Sequence, residues 1–330
     1  MHRVATALLA PVLLTAAAAA QAGENVLVIV ADDLGVDYVG VYGEGSAPPP
    51  TPNIDALAAR GVLFRNAWAN PSCSPTRACL QTGRYPFRTL VGRWIRYPGN
   101  TEPIGTLQER EWTLPEVIEA AGGGQAHACI GKWHLSDQSE GLDTPRQSGG
   151  WSHFAGTLWG QVPDYYAWPR VVNGVEATSR VYATTQQTDD ALAWIQAQTG
   201  PWFCYLAYCA PHLPFQAPPA HLHTRNLAGL NPSSSPRPFY KAMIEAMDTE
   251  IGRLLQSLGP QLARTHVIFV GDNGSVQNMA EPPFIPSRAK GSPYEGGLNV
   301  PLIVAGPAVR SPGREVAALA CTVDLFPTAL

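Results

Sequence analysis

Four short apolar runs constrain the fold of this chain more than any other feature of the sequence. Each run has five to seven residues, is rich in β-branched or aromatic side chains and is bounded by turn-forming residues; the runs are NVLVIV (25–30), WFCYLAY (202–208), HVIFV (266–270) and VPLIVAG (300–306). Such runs are typical of strands that are buried on both faces of a sheet. Because helix signals lie between them, we expect an α/β protein with a largely parallel sheet.

The helix signals occur in four segments, at 51–61, 113–122, 188–200 and 238–259. In the first segment, Thr51 is the predicted N-cap and Gly61 the predicted end. In the second, Thr113 and Glu116 have the spacing of a capping box. The third is predicted to begin at Thr188, where two acidic residues follow, and the fourth is a long amphipathic helix.

Three of the apolar runs are followed, within four residues, by side chains that can bind ligands. These are Asp32 and Asp33 after the first run, His212 after the second, and Asp272 and Asn273 after the third. Ligands of parallel sheets bind beyond the carboxyl ends of the strands, so these side chains are expected at one edge. An Asp at a strand end often only caps a turn, but three such clusters together favour a binding site.

The four oxygen donors Asp32, Asp33, Asp272 and Asn273 predict a site for a divalent cation. Carboxylates that converge without a cation would repel one another. A set of hard oxygen ligands suits Ca²⁺ or Mg²⁺ better than zinc, and Ca²⁺ is favoured because a cage made of protein oxygens suits it better than Mg²⁺.

A second group of residues is cationic or titratable: Arg77, Lys132, His134, His212 and Lys290. Singly, a lysine is usually a solvated surface charge and a histidine on an apolar run is usually part of the core. Together with a divalent cation, the group would form a pocket for an anion with tetrahedral oxygens. The two histidines would then serve as acid and base near neutral pH.

The segment CSPTRACLQTGR (73–84) resembles the signature of the type I sulfatases, in which Cys-x-Pro-Ser/Thr-Arg is followed by Thr/Ser-Gly-Arg. The stretches ADDLG, GKWHL, APH, GDNG and KGSPYEGGLNVPLIV resemble further blocks of that family in the same order, from about residue 25 to the last residue. The resemblance implies an alkaline-phosphatase-like fold, with a large, mostly parallel mixed sheet and helices on both faces.

The resemblance also implies a reaction, the hydrolysis of a sulfate ester of a sulfated sugar or an aryl compound. In that family a maturation enzyme reads Cys-x-Pro-x-Arg and converts the cysteine, here Cys73, to Cα-formylglycine. One hydroxyl of the hydrated aldehyde attacks sulfur and forms a covalent sulfo-enzyme intermediate. The second hydroxyl loses its proton and expels sulfate, which regenerates the aldehyde.

Roles for individual residues follow from the same resemblance. The metal ligands would be Asp32, Asp33, Asp272, Asn273 and the modified Cys73. Arg77 would steady the formylglycine, and Lys132 and Lys290 would hold sulfate oxygens. His134 would take the proton from the second hydroxyl, and His212 would assist the leaving oxygen.

This sequence departs from the family pattern at a few positions. Gln81 lies where the family usually has Leu, and Ser136 follows GKWHL where Gly is usual; both are expected to be packing changes around the site. The chain stops at VDLFPTAL, where a helix is starting. Family members continue into a smaller C-terminal subdomain, so residues 23–330 are expected to be a catalytic domain in which that subdomain is truncated or missing.

Residues 1–22 have the pattern of a secretory signal peptide, with a basic start, a short Ala-rich apolar run and a small-x-small motif at 20–22. We therefore expect export to a periplasm or the cell exterior, without stable membrane insertion. The net charge of −4 and the absence of a basic run give no indication of nucleic-acid binding. Cys204 and Cys209 are not expected to bond to each other, and conversion of Cys73 would leave five of the six cysteines, an odd number.

Two alternatives to a sulfatase remain at this stage. The first is a hydrolase of the same superfamily that acts on phosphodiesters, phosphate monoesters or phosphonates. The second is a non-catalytic fragment that binds sulfated ligands. The aromatic-rich segment 149–170 is expected near the mouth of the site, where its rings would stack on a sugar or an aryl group.

Overall fold

The computed structural model describes residues 24–96, 105–122 and 124–330, so the predicted signal peptide at 1–22 lies outside the described residues. In the described part, ten strands form one sheet in the order β10-β2-β9-β8-β1-β7-β3-β4-β5-β6. The strands are β1 Asn25–Ala31, β2 Gly61–Trp68, β3 Ala126–Lys132, β4 His153–Thr157, β5 Trp168–Val172, β6 Val175–Ser179, β7 Trp202–Ala207, β8 Thr265–Gly271, β9 Leu302–Ala305 and β10 Arg314–Cys321.

Helices cover both faces of this sheet. They are α1 Pro52–Ala59, α2 Cys73–Thr82, α3 Pro86–Thr89, α4 Leu114–Ala120, α5 Thr144–Gln147, α6 Ala183–Gln196, α7 Pro236–Ser257, α8 Glu295–Leu298 and α9 Leu325–Ala329. Alternate residues of β1 point to opposite faces: Leu27 and Ile29 belong to the core with α1, α6 and α7, whereas Val28 and Val30 belong to the core with α2, α4 and α9. The central strand is therefore apolar throughout because both of its faces are buried.

The centre of the sheet is parallel and its flanks are mixed. The neighbouring strands β8, β1, β7 and β3 all run in one direction, so their carboxyl ends meet at the same edge. Antiparallel pairing joins β9 to β2 and β8, and also joins β4, β5 and β6. The predicted α/β architecture, with a large, mostly parallel mixed sheet and helices on both faces, is confirmed.

All four apolar runs contain strands, but the run at 300–306 is shorter than predicted and pairs antiparallel with both neighbours. The strand that the apolar pattern missed at the centre of the sheet is β3, whose sequence AHACIGK is poor in β-branched residues. Its Gly131 has a φ of 95°, and a Cβ there would lie 1.9 Å from the carbonyl oxygen of Ala207. The close approach of β3 to β7 thus requires glycine at position 131, and glycine is a residue type that strand patterns do not favour.

Two of the predicted helix boundaries are wrong. The helix α6 begins at Ala183, not at Thr188, whose hydroxyl donates to the carbonyl of Thr184 within the helix. Gly61 is the first residue of β2 and does not end α1, which stops at Ala59. The capping box of Thr113 and Glu116 is present as predicted.

Gln81 and Ser136, the two departures from the family pattern, are both buried and hydrogen-bonded. The indole N–H of Trp151 donates to Gln81 Oε1 at 3.2 Å, and the hydroxyl of Thr144 donates to Ser136 at 2.9 Å. Both side chains are therefore part of the packed interior. Among the described residues, which include all six cysteines, none forms a disulfide. No helix in the described ranges is both long and apolar enough to cross a membrane.

Candidate active site

A cleft of about 580 Å³ lies at the carboxyl edge of the four central strands. Four of the predicted site residues line it: Cys73, His134, His212 and Lys290. The other six predicted residues are fully or almost fully buried: Asp32, Asp33, Arg77, Lys132, Asp272 and Asn273. Hydrogen bonds and ion pairs join these two groups into one network.

The four predicted metal ligands meet because β1 and β8 are parallel neighbours. Asp32 and Asp33 follow the end of β1, and Asp272 and Asn273 follow the end of β8. The backbone N–H of Asp33 donates to Asp272 Oδ1 at 3.0 Å, and the amide of Asn273 donates to Asp33 Oδ1 at 2.8 Å. Asp33 has a φ of 68°, so the chain turns sharply at this point and brings both side chains to the site.

These side chains fit a bound cation. Asp32 Oδ1, Asp33 Oδ2 and Asn273 Oδ1 are buried and accept no hydrogen bond from any described residue. A buried oxygen without a donor is costly, and a divalent cation would satisfy all three. One oxygen each of Asp32 and Asp272 and the Sγ of Cys73 also lie within 4.8 Å of one another. The donor set therefore matches the predicted metal site.

Three cationic side chains surround the oxygen cluster. Lys132 Nζ lies 2.5 Å from Asp32 Oδ2, and Lys290 Nζ lies 2.5 Å from Asp33 Oδ1. Burial acts to lower the pKa of both lysines, but the neighbouring carboxylates outweigh it, and the pKa of each is raised. Both side chains are thus ammonium ions at neutral pH.

Arg77 joins α2 to the ends of β8 and β3. Its guanidinium donates two hydrogen bonds to Asp272 Oδ2, at 2.8 and 3.1 Å, and one to the carbonyl of Lys132 at 2.8 Å. Burial acts to lower the pKa of Arg77, but the carboxylates of Asp272 and Asp32 outweigh this effect, and the pKa is raised above its usual value. The buried charge therefore fixes α2 against the predicted metal ligand Asp272.

Cys73 is the first residue of α2, directly after the N-cap Ser72. Its Sγ lies 3.3 Å from His134 Nδ1 and faces the cleft. Burial raises the pKa of the Cys73 thiol, because the thiolate would lose its solvation. The unmodified side chain is therefore poorly suited to act as a thiolate nucleophile.

The two histidines are held in different ways. His134 Nε2 lies 2.6 Å from the carbonyl of Ile95, so Nε2 carries the proton and Nδ1 faces Cys73 as an acceptor. Burial lowers the pKa of His134 well below its usual value. His212 Nδ1 lies 2.8 Å from the carbonyl of Leu213, which leaves Nε2 facing the cleft side, 3.6 Å from Asp33 Oδ2. Burial lowers the pKa of His212 to about 3.

Part of the cleft wall consists of residues that neither the apolar runs nor the motifs predicted. Trp94, Ile95 and Arg96 line the cleft, as does Gly160. The local signal was the aromatic and arginine pattern in RWIR, but its relation to Cys73 depends on contacts between distant parts of the chain. A Cβ on Gly160 would lie 2.5 Å from His134 Nε2, so the wall needs glycine there.

The aromatic-rich segment 149–170 is only partly where it was predicted. Trp159 lines the cleft, together with Gly160 and Gln161. Trp151 and Trp168 are instead buried in the two hydrophobic cores, with exposed fractions of 1% and 0%. The segment crosses from β4 to β5, so its ends pack inward and only its middle reaches the cleft.

Comparison with known proteins decides the family. The family model described as Sulfatase matches residues 24–330, which is most of the chain. The chain belongs to the sulfatase family. Sulfatases carry a formylglycine and a metal ion, and this chain has a cysteine of the signature motif beside a cluster of carboxylate oxygens.

Two curated relatives illustrate the similarity. N-acetylgalactosamine-6-sulfatase of Canis lupus familiaris is 31% identical over 95% of this chain and 63% of the relative. Arylsulfatase A of Bos taurus is 32% identical over 96% of this chain and 65% of the relative. The chain thus spans less than two thirds of the length of either relative.

A solved structure shows the same fold. The crystal structure of Ps i-CgsB in complex with k-i-k-neocarrahexaose superposes with a TM-score of 0.76 at 28% identity. The match covers 93% of this protein and 71% of that chain. The alkaline-phosphatase-like fold expected from the sequence is therefore confirmed.

Proposed function

We propose that this protein is a sulfuric ester hydrolase that works through a formylglycine made from Cys73. The observation that carries the proposal is the 3.3 Å contact between Cys73 Sγ and His134 Nδ1 at a cleft that Lys290 also lines. An acceptor nitrogen at this distance is placed to take a proton from a hydroxyl at position 73. The hydrated formylglycine would have a second hydroxyl on the same carbon. When this hydroxyl loses its proton, the oxygen forms the aldehyde C=O bond and sulfate is expelled.

The surrounding side chains fit the handling of a sulfate ester. Lys290 and Lys132 are charged and would hold sulfate oxygens, while Arg77 keeps the first turn of α2 in place. His212 Nε2 is the imidazole nitrogen available to the leaving oxygen. An anionic substrate beside it favours the imidazolium, which donates its proton through Nε2 as the ester bond breaks.

We propose Ca²⁺ as the ion, held by Asp32, Asp33, Asp272 and Asn273 together with the modified Cys73. The support is the donor set, because these residues offer oxygens and no imidazole, and three of those oxygens are buried without a donor among the described residues. When bound, the cation would supply positive charge next to the reacting oxygens.

For the substrate we propose a sulfated glycan. The names of the relatives support this, since one is an N-acetylgalactosamine-6-sulfatase and the similar structure holds a neocarrahexaose. We further propose that the protein is exported by way of the signal-peptide pattern at 1–22 and that a formylglycine-generating enzyme is its maturation partner. No basic run points to nucleic acid.

The test compares two reactions of the protein produced together with a formylglycine-generating enzyme. We expect hydrolysis of an aryl sulfate to be faster than that of the matching aryl phosphodiester. The control variant Cys73→Ala should lose about 1,000-fold or more in kcat/KM. Faster cleavage of the phosphodiester would replace the proposal with the related esterase, and binding of sulfated sugar without any hydrolysis would replace it with a binding protein.

A further inference from the structure

A short segment at the rim of the cleft, residues 92–96, is tied directly to the reacting side chains. Ile95 in this segment is buried, with an exposed fraction of 1%. Its N–H donates to Ser74 Oγ at 3.0 Å, and its carbonyl accepts from His134 Nε2 at 2.6 Å. Since Ser74 follows Cys73, the position of this rim segment is fixed relative to the reacting atoms.

The neighbours of Ile95 face the solvent at the cleft. Trp94 has an exposed fraction of 53%, Arg96 is also exposed, and both line the cleft. The Arg96 guanidinium lies 6.0 Å from the centroid of the Trp94 ring, so the two side chains present one surface. An aromatic face with a cation beside it suits a sugar ring that carries an anionic group.

Arg96 differs from the other cationic side chains of the site in its ion pairing. Lys290 is paired with Asp33, Lys132 with Asp32, and Arg77 with Asp272. Arg96 differs from them in that it is exposed at the cleft wall and no carboxylate of the described residues pairs with it. An arginine of this kind binds a sulfate or a carboxylate through two parallel hydrogen bonds.

We propose that Trp94 and Arg96 form a second subsite, in which Trp94 stacks on a sugar ring of the substrate and Arg96 binds a second anionic group outside the catalytic pocket. This inference rests on the proposed sulfatase function and specifies its substrate as an oligosaccharide with more than one sulfate or carboxylate. The subsite acts on binding and not on bond cleavage, because the side chain that contacts Cys73 Sγ is His134 and not Trp94 or Arg96.

The test uses two substrates that share the reacting bond but differ in the second charge. One is a disaccharide with two sulfates and the other is a simple aryl sulfate. Arg96→Gln should lower kcat/KM for the disulfated sugar about 10- to 100-fold, mainly through KM. The same variant should stay within about twofold of the parent on the aryl sulfate, which also shows that it folds. Trp94→Ala should have the same pattern, since it removes the stacking surface.

Arg88→Gln is the matched control. Arg88 also follows α2, and its guanidinium lies 5.4 Å from the centroid of an aromatic ring, that of Phe87. It does not line the cleft. We expect this variant to retain full activity on both substrates. In the parent, raising the salt concentration should weaken turnover of the disulfated sugar more than that of the aryl sulfate, and Arg96→Gln should remove this difference.

A binding measurement separates failure of the subsite from failure of the proposed reaction. Calorimetry on Cys73→Ala with the disulfated sugar should give a Kd about 10-fold or more below that of Cys73→Ala/Arg96→Gln. Equal affinities would overturn the subsite, and so would equal losses on the sugar and the aryl sulfate. If the parent hydrolyses no sulfate ester but the affinities differ as expected, the reaction is wrong and the subsite stands.

Discussion

His134 and His212 both line the cleft, but their hydrogen bonds give them different tasks. His134 donates through Nε2 to Ile95 and turns Nδ1 toward Cys73, whereas His212 donates through Nδ1 to Leu213 and keeps Nε2 for the cleft. The tautomer of each ring is therefore set by a backbone carbonyl. This difference makes the two substitutions distinguishable by kinetics.

His212→Ala should harm the hydrolysis of an alkyl or sugar sulfate far more than that of an activated aryl sulfate. A leaving group with a low pKa needs little proton donation, whereas a sugar alkoxide needs a great deal, so the two losses should differ by about 100-fold. His134→Ala should instead slow sulfate release for every leaving group. A leaving-group series for each variant checks this, and equal losses across both series would show that the division of roles is wrong.

Removal of the ion gives a second prediction. Exhaustive chelation should abolish activity, and Ca²⁺ should restore it at lower concentration than Mg²⁺, because the ligands are protein oxygens. Asp272→Asn keeps the size of the side chain but removes a charge that also pairs with Arg77. This variant should need about 10-fold more Ca²⁺ for half activity, measured by titration of the chelated protein. Full activity after chelation would contradict the metal site.

The strands and helices show where local sequence patterns suffice and where they fail. The apolar runs identified β1, β7 and β8 because strands buried on both faces must be apolar. They did not identify β3, since Gly131 is required by the approach of Ala207 on the next strand. The start of α6 was also missed, because Thr188 and its acidic neighbours have the sequence pattern of an N-cap although they lie inside the helix. Burial of the preceding turn extends the helix to Ala183.

The candidate site also contains residues that local sequence patterns predicted and residues that they did not. The ten predicted residues lie at strand ends or in short motifs, and the parallel order of β8, β1, β7 and β3 brings them together. Trp94, Arg96 and Gly160 belong to loops, whose position depends on long-range contacts such as that of Ile95 with His134. A local pattern cannot supply such contacts. The roles assigned to the ten residues remain predictions.

The contact between the loop residue Gly160 and His134 leads to a testable prediction. Gly160→Ala would place a Cβ 2.5 Å from His134 Nε2 and push the ring away from the carbonyl of Ile95. We expect kcat/KM to fall about 10- to 100-fold while the thermal midpoint changes by only a few degrees, because the strain is local. Gly200→Ala is the control, since a Cβ there meets no atom within 4 Å. Unchanged activity of Gly160→Ala would show that His134 is not held by this contact.

Beyond the site, the segment after β8 is held to the rest of the protein by ion pairs around Glu281. Its carboxylate lies 2.8 Å from Arg237 Nη1 and 3.0 Å from Lys241 Nζ, and it accepts a hydrogen bond from Ser46 at 2.7 Å. Burial acts to raise the pKa of Glu281, but these partners outweigh it and lower the pKa to about 2. The carboxylate thus connects α7 with the loops that follow β1 and β8.

The folded pKa of Glu281 is below its usual value of 4.5, so its contribution to stability is complete above about pH 4.5 and is lost as the pH falls toward 2. Glu281→Gln should therefore be about 1–2 kcal/mol less stable than the parent at pH 7. The difference should disappear near pH 2. Denaturant unfolding at several pH values measures it, with Glu176→Gln, an exposed residue on β6, as the control. A difference that does not depend on pH would contradict the role of the charge.

The burial of α2 has a consequence for the timing of maturation. All ten residues of this helix are buried, including Arg77, whose guanidinium is enclosed by Asp272 and the backbone of β3. In the folded protein this stretch is not exposed to another protein. We therefore expect the proposed conversion of Cys73 to come before α2 packs against the sheet, and we expect a chain that folds first to keep the unconverted cysteine.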